Sequence, residues 1–315
     1  MAHYIIKRLL FIPLLLLLIS FVTFCLVNLA PSDPAEVILR VSNIQVTPQA
    51  LVLTRQEFGL DQPFFTRYWI WLQGVLQLDF GSSFITREPV LQILLQALWP
   101  TLYLVACVVI LTIAVSVPSG IFLAMHAHTP VDKAGRFFMF SFTGMPDYWV
   151  GLLLIWAVSV KLNWLPINGM SSPSSIILPA VTLSLAYIGL YVKLIRNSIL
   201  QELSQYYVMY ARARGLKESM VIAKHVMVNA MQSALVVFGM SIPRLIAGTV
   251  IIENVFAWPG MGRMCVTAIT EHDYPVIQAY VLLISLLYLL FNFLTDMLQI
   301  RIDPRLRYQK GAAHG

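Results

Sequence analysis

Long apolar runs alternate along this chain with short, polar and mostly basic connections. A helix that spans a bilayer needs roughly 20 predominantly apolar residues. Six segments meet that length: 9–30, 100–125, 137–160, 176–194, 230–252 and 276–298, the fourth being the shortest. Backbone donors and acceptors in hydrocarbon need partners inside the protein, so each run predicts a helix. Pro118, Pro146 and Pro243 fall within these runs and predict bends.

The connection between the first two runs, 31–98, is long and carries its own pattern. Gly59-Leu60-Asp61-Gln62-Pro63 reads as a helix end and turn, and Asp79-Phe80-Gly81-Ser82-Ser83 as a second turn. Trp69, Trp71 and Leu72 predict an amphipathic helix at a membrane surface. Together these features predict a small helical cap.

Composition agrees with the pattern. Residues of the AVILMFWYC class make up 58% of the 315 positions and charged residues 11%, more apolar surface than a water-soluble core of this size hides. The formal charge of +6 would suit nucleic acid if it were spread evenly, but it is sorted by side. Residues 1–8 hold two Lys or Arg, 126–136 hold two, Lys193 through 229 holds six and 299–315 hold four. The opposite side has Lys161, Arg263 and four arginines within 31–98. The positive-inside rule places both termini in the cytoplasm and 31–98 outside. The first run follows Lys7 and Arg8, is 22 residues long and meets Pro31, which predicts an uncleaved helix rather than a signal peptide. Cys25, Cys107 and Cys265 lack metal-ligand spacing and read as small buried side chains.

Catalytic signatures are absent from the sequence. It has no Gly-x-x-x-x-Gly-Lys-Ser/Thr phosphate cradle, no His-Glu-x-x-His, no Gly-x-Ser-x-Gly and no Cys-x-x-Cys. The charged loop 195–229 is the strongest signal. Arg212, Arg214, Lys217 and Lys224 charge it, while Leu200, Leu203, Tyr207, Val208, Ala211 and Leu216 offer an apolar side. Gly215 stands where a helix should stop, which predicts two short helices meeting there. As a bare pattern, this reads first as an ordinary basic loop drawn to anionic lipid.

The run Ala211-Arg212-Ala213-Arg214-Gly215-Leu216, followed by Lys224-His225 and Asn229-Ala230, resembles the coupling loop of type I ABC importer permeases. The usual Glu-Ala-Ala is Met209-Tyr210-Ala211 here, and Ser233 stands where a proline is common. The Ala-Arg-Ala-Arg-Gly-Leu form is typical of the peptide/nickel branch. Glu253-Asn254-Val255-Phe256-Ala257-Trp258-Pro259-Gly260-Met261-Gly262-Arg263 matches that branch densely, as does Arg301-Ile302-Asp303-Pro304-Arg305. Met145-Pro146-Asp147-Tyr148-Trp149 and Asp273-Tyr274-Pro275-Val276-Ile277-Gln278 also fit. Arg40-Val41-Ser42-Asn43, Thr47-Pro48 and Thr54-Arg55 look most like the nickel permease.

The resemblance implies an all-α membrane protein of six transmembrane helices with the type I permease fold. Its parts would be an N-terminal helix, 1–30; an external cap, 31–98; a permease core, 99–298, carrying the coupling loop; and a cytoplasmic tail, 299–315. It further implies a pore subunit rather than an enzyme, in the bacterial inner membrane. Its partners would be a homologous second permease, two ATPase subunits that bind ATP and magnesium, and an external substrate-binding protein. No cofactor is expected on this chain and no nucleic-acid partner. The implied cargo is nickel as a chelate, with a dipeptide or oligopeptide as the alternative. An ion-gradient carrier working alone is a further alternative, although no inverted repeat of that class stands out.

Other residues invite roles of their own. Asp147 and Arg244 are ionisable groups inside predicted spans, where charge is expensive and faces a cavity or a partner. They read either as a neutralising pair across helices or as pathway residues, Arg244 drawing substrate carboxylates. In the external turn, Glu253, Trp258, Pro259, Gly260 and Gly262 form a rigid cap or a gate. The two glycines would supply backbone angles other residues resist, and Trp258 would anchor at the headgroups. His126 with His128, and Glu271-His272-Asp273, have the donor chemistry for nickel, but exposed polar loops contain such clusters routinely, so no metal site is expected.

Overall fold

The structure is a computed structural model that describes residues 2–30, 33–167 and 169–302. In chain order its helices are α1 (Ala2–Asn28), α2 (Pro34–Val41), α3 (Pro48–Glu57), α4 (Phe64–Leu76), α5 (Val90–Met125), α6 (Pro130–Thr143), α7 (Asp147–Leu154), α8 (Ile177–Leu203), α9 (Tyr206–Ala213), α10 (Glu218–Val221), α11 (Met227–Val255), α12 (Met261–Thr270) and α13 (Tyr274–Ile302). Wider π turns occupy Ile155–Lys161 and Ile222–Val226, and a 3-10 turn Pro173–Ile176. The chain divides into two compact units, one of Met1–Thr101 with Pro259–Leu290, the other of Leu102–Trp258 with Phe291–Gly315.

Among the described residues, five continuous helical stretches are long and apolar enough to cross a membrane: Arg8–Asn28, Val90–Met125, Pro173–Leu203, Glu218–Val255 and Tyr274–Gln299. The other run expected to span, 137–160, is present in pieces. α6 ends at Thr143, and α7 starts only after Pro146, whose φ of −62° and ψ of 132° are extended. Proline lacks the N–H a helix interior needs and pushes its predecessor out of helical geometry. Pro146 therefore breaks this segment where only a bend was expected, and hydropathy cannot see the break because both sides are apolar. α5 runs through Pro118 and α11 through Pro243. α5 also begins at Val90, well before the expected start at 100.

In the first unit, α2 to α4 form the cap segment. Asp33 and Thr47 cap α2 and α3 by accepting from the amides of Ala35 and Ala50, each just ahead of a proline in the first turn. Phe64, Tyr68 and Trp71 recur at helical spacing and put one face of α4 against Phe21 and Phe24 of α1. The Phe24 and Trp71 ring centroids are 5.7 Å apart, and the Ser20 and Tyr68 hydroxyls hydrogen-bond at 2.8 Å. The tryptophans expected to share an interfacial face are split: Trp71 packs into protein, while Trp69 is exposed. Val90 and Leu94 of α5 meet Ala268 of α12 and Val276 and Ala279 of α13 in a second small core.

The second unit is organised around α8, which packs against α6, α7 and α11. A Cβ added at Gly189 would meet Thr143 Oγ1 at 2.5 Å and the Met139 carbonyl oxygen at 2.8 Å, so α6 and α8 approach closely through a small residue. The main core of this unit joins Tyr191, Ile195 and Ile199 of α8 to Ala230 and Ala234 of α11, and extends to Val208, Ala211 and Val221.

Candidate functional site

The loop around Gly215 is built as the local sequence dictates. α9 is two turns long and buries Val208 and Ala211, three residues apart on one face. It stops at Ala213, after which Gly215 takes a left-handed φ of 76°. The Gly215 amide donates to the Arg212 carbonyl at 2.9 Å and the Leu216 amide to the Ala211 carbonyl at 3.3 Å. These two bonds are the Schellman closure of a helix. α10 then begins, buries Val221 and passes through the π turn into α11.

Side chains brace this knuckle. Arg212 grips Glu218 with two hydrogen bonds, Nε at 3.0 Å and Nη2 at 2.5 Å, so α9 and α10 are clasped across Gly215. The Tyr207 hydroxyl donates to Glu202 at 2.5 Å and accepts from Asn229 Nδ2 at 3.0 Å, tying the loop to the end of α8 and the start of α11. Partial burial, then the bond to the Glu202 carboxylate, pushes the Tyr207 phenol above its ordinary value. The apolar side expected here is divided. Val208 and Ala211 turn inward, but Tyr207 and Leu216 are exposed. The outward face instead carries Tyr206 (78% exposed), Tyr210 (67%), Met209 and Met220. Sequence reading missed that face, although a run of aromatics beside arginines in a loop was a legible sign of a covered surface.

A buried ion pair lies beside this region and was also missed. Asp132, in the first turn of α6, is completely buried, and Arg196 of α8 is nearly so. Arg196 donates to it through Nε at 2.6 Å and Nη2 at 2.7 Å, and the His128 amide donates at 3.1 Å. The Arg196 hydrogen bonds hold the Asp132 carboxyl below the usual carboxylate range against the opposing effect of burial.

Asp147 and Arg244 do not pair. Among the described residues no ion pair or hydrogen bond joins them. Asp147 sits in the first turn of α7, where its charge complements the helix N-terminus; once Pro146 breaks the run, it is not mid-helix. Arg244 follows Pro243 in α11 with its side chain exposed, and both charges act electrostatically on Tyr187 of α8.

At the far end of α11, Glu253 is fully buried and Trp258 is 1% exposed, its ring stacked 6.3 Å from Tyr103. Trp258 therefore does not reach the headgroups: it fills protein. The glycines do not supply the unusual angle either. Gly260 is extended, with φ −98° and ψ 178°, and Gly262 lies within α12. The left-handed residue is Ala257, φ 50°, because α11 closes there with the amides of Ala257 and Trp258 donating to the carbonyls of Asn254 and Glu253. Pro259 is exposed.

Among the described residues, no three His, Cys, Asp or Glu side chains gather in a way that would hold a metal. In the Glu271-His272-Asp273 run, Asp273 is engaged by the Ser83 hydroxyl and the Phe84 amide. Asp303-Pro304-Arg305 lies outside the described residues.

Residues 116–308 match the family model for the binding-protein-dependent transport system inner membrane component, and residues 1–105 match the N-terminal model of such membrane components. The chain is 39% identical over 308 residues to the metal-staphylopine import system permease protein CntB of Staphylococcus aureus, covering 98% of this chain and 99% of that one. It is 36% identical over 309 residues to the glutathione transport system permease protein GsiC of Salmonella choleraesuis, covering 98% and 100%. In fold it is similar to the MetNI methionine ABC transporter in inward-facing form, with a TM-score of 0.59 at 16% identity, over 69% of this chain and 99% of that chain.

Proposed function

This chain belongs to the family of binding-protein-dependent transport system inner membrane components and is a permease of an ABC importer of the peptide/nickel branch; on that premise we propose that it imports a metal chelate, nickel foremost. The carrying observation is the clasped knuckle. Its inner face is packed into the permease core through Val208, Ala211 and Val221, while its outer face presents Tyr206, Met209 and Tyr210. A body braced on one side and apolar on the other takes a push and passes it on. ATPase partners, which bind ATP and magnesium, dock on that outer face, and Ala211 to Leu216 transmit their closure. A second permease completes the pore and an external binding protein delivers cargo to the cap side. Both termini lie in the cytoplasm, as the distribution of Lys and Arg favours.

The identity to a metal-staphylopine permease supports a chelate as cargo. The nearly equal identity to a glutathione permease supports a peptide as the second reading. Asp147 and Arg244, separate and within reach of Tyr187, serve the pathway by meeting the charged ends of an amino-carboxylate ligand. Glu253 and Trp258 act as the fixed outer end of α11. Gly215→Trp tests the coupling role: the chain inserts and assembles, but uptake and cargo-stimulated ATP hydrolysis are lost. Normal uptake in that variant removes the role. Proteoliposomes of the assembled importer, offered chelated nickel, free nickel or glutathione, decide between the cargoes.

A further inference from the structure

A cavity of about 810 Å3 opens in the first unit, bounded by the end of α1, the cap helices and the start of α13. Sites for small ligands commonly occupy about 300–1,000 Å3. Three polar groups in its wall lack partners among the described residues. The Arg67 guanidinium makes no hydrogen bond or ion pair. Trp71 Nε1 is buried and unbonded. Gln278, 6% exposed, leaves its side-chain amide unbonded. Arg67 and Trp71 are four residues apart on α4, so they share one face.

The acidic groups of the wall are otherwise engaged. Asp33 is held by Arg55, at 3.2 Å and 2.5 Å, and by the Ala35 amide at 3.0 Å. Asp79 lies exposed and accepts from the Gly81 amide at 2.9 Å. Arg67 feels the charge of Asp33 without touching it, and burial lowers its guanidinium from the ordinary value. Buried polar groups without partners are costly, and one wall here carries two of them, Trp71 Nε1 and Gln278, together with the half-buried Arg67.

We propose that this cavity binds an oxyanion, a carboxylate or phosphate group, held between the Arg67 guanidinium, the Trp71 indole N–H and the Gln278 amide. Two sources supply that chemistry: the headgroup of an anionic phospholipid in the leaflet beside the end of α1, or a free carboxylate solute. The assembled importer reconstituted in nanodiscs of phosphatidylcholine, with and without phosphatidylglycerol, separates them. Native mass spectrometry counts retained phosphatidylglycerol, and equilibrium dialysis with labelled citrate in the phosphatidylcholine discs measures the soluble arm. Wild type binds one of the two probes, and Arg67→Met weakens that binding about tenfold. Trp71→Phe keeps an aromatic side chain and removes the donor, and its thermal midpoint, measured alongside, separates weaker binding from a folding defect. Retained phosphatidylglycerol sensitive to both variants assigns the site to lipid, and citrate binding sensitive to both assigns it to a solute. Binding of neither probe, or binding indifferent to both variants, overturns the proposal.

Discussion

α9 and α11 end in the same pair of backbone hydrogen bonds, yet they are held by different means. At α9 the left-handed position is Gly215, nothing lies within 4 Å of where its Cβ would be, and the following Leu216 is exposed. At α11 the left-handed position is Ala257, and the following Trp258 is buried against Tyr103. The exposed turn uses the residue that takes the angle freely and adds a side-chain clasp, Arg212 to Glu218. A turn sealed inside the protein tolerates a strained alanine because a large ring next to it fixes the chain.

That contrast is open to attack. The largest effect is expected from the two residues that follow the left-handed positions. Trp258→Ala removes a buried ring and costs about 3–5 kcal/mol, whereas Leu216→Ala leaves the thermal midpoint of the detergent-solubilised complex nearly unchanged. Equal losses would abolish the distinction between a sealed and an open turn. Next come the left-handed residues themselves. Gly215→Ala destabilises and Ala257→Gly stabilises, each by about 1 kcal/mol, so the two midpoints move in opposite directions. Arg212→Met acts on the clasp alone and should depress coupled ATP hydrolysis with no measurable shift in midpoint, since both partners are solvent-exposed.

The smallest effect is that of mild acid. The Asp132 carboxyl is held below its unfolded value of about 3.9. Its stabilising contribution is therefore fully present above that value and is lost only as pH falls through the lowered one. From neutrality to about pH 5 the ranking of the variants above should not change. Once pH falls below about 3.9, wild type begins to lose stability that an Asp132→Asn variant never had, which parallel acid titrations would show as a shallower limb in the variant.

What the sequence disclosed follows from the range of each interaction. The stop at Gly215 was legible because a helix end is decided within a few residues, and Ala-Arg-Ala-Arg-Gly-Leu contains all of them. The helix starts at Asp33-Pro34 and Thr47-Pro48 carried an equally local signal but went unread, the cap having been inferred from its turns and from Trp69, Trp71 and Leu72. Ala257 gave no sign, since alanine is not expected at positive φ. The Asp132–Arg196 pair was hidden by the sequence separation of 64 between its members, each of which reads locally as an ordinary loop charge. Asp147 looked like a charge stranded in hydrocarbon because hydropathy averaged over the break that Pro146 makes.

The π turn at Ile222–Val226 fixes the angular phase between the knuckle and α11. Such a turn fits one more residue into each helical revolution, and one residue of α-helix is about 100° of rotation. Deleting one residue there would close the π turn to an α turn and leave α11 in phase with α10, whereas a deletion within α11 would rotate every side chain beyond it by roughly that angle. The angular setting of that long helix is thus buffered by five residues beside the knuckle, not by the helix's own composition.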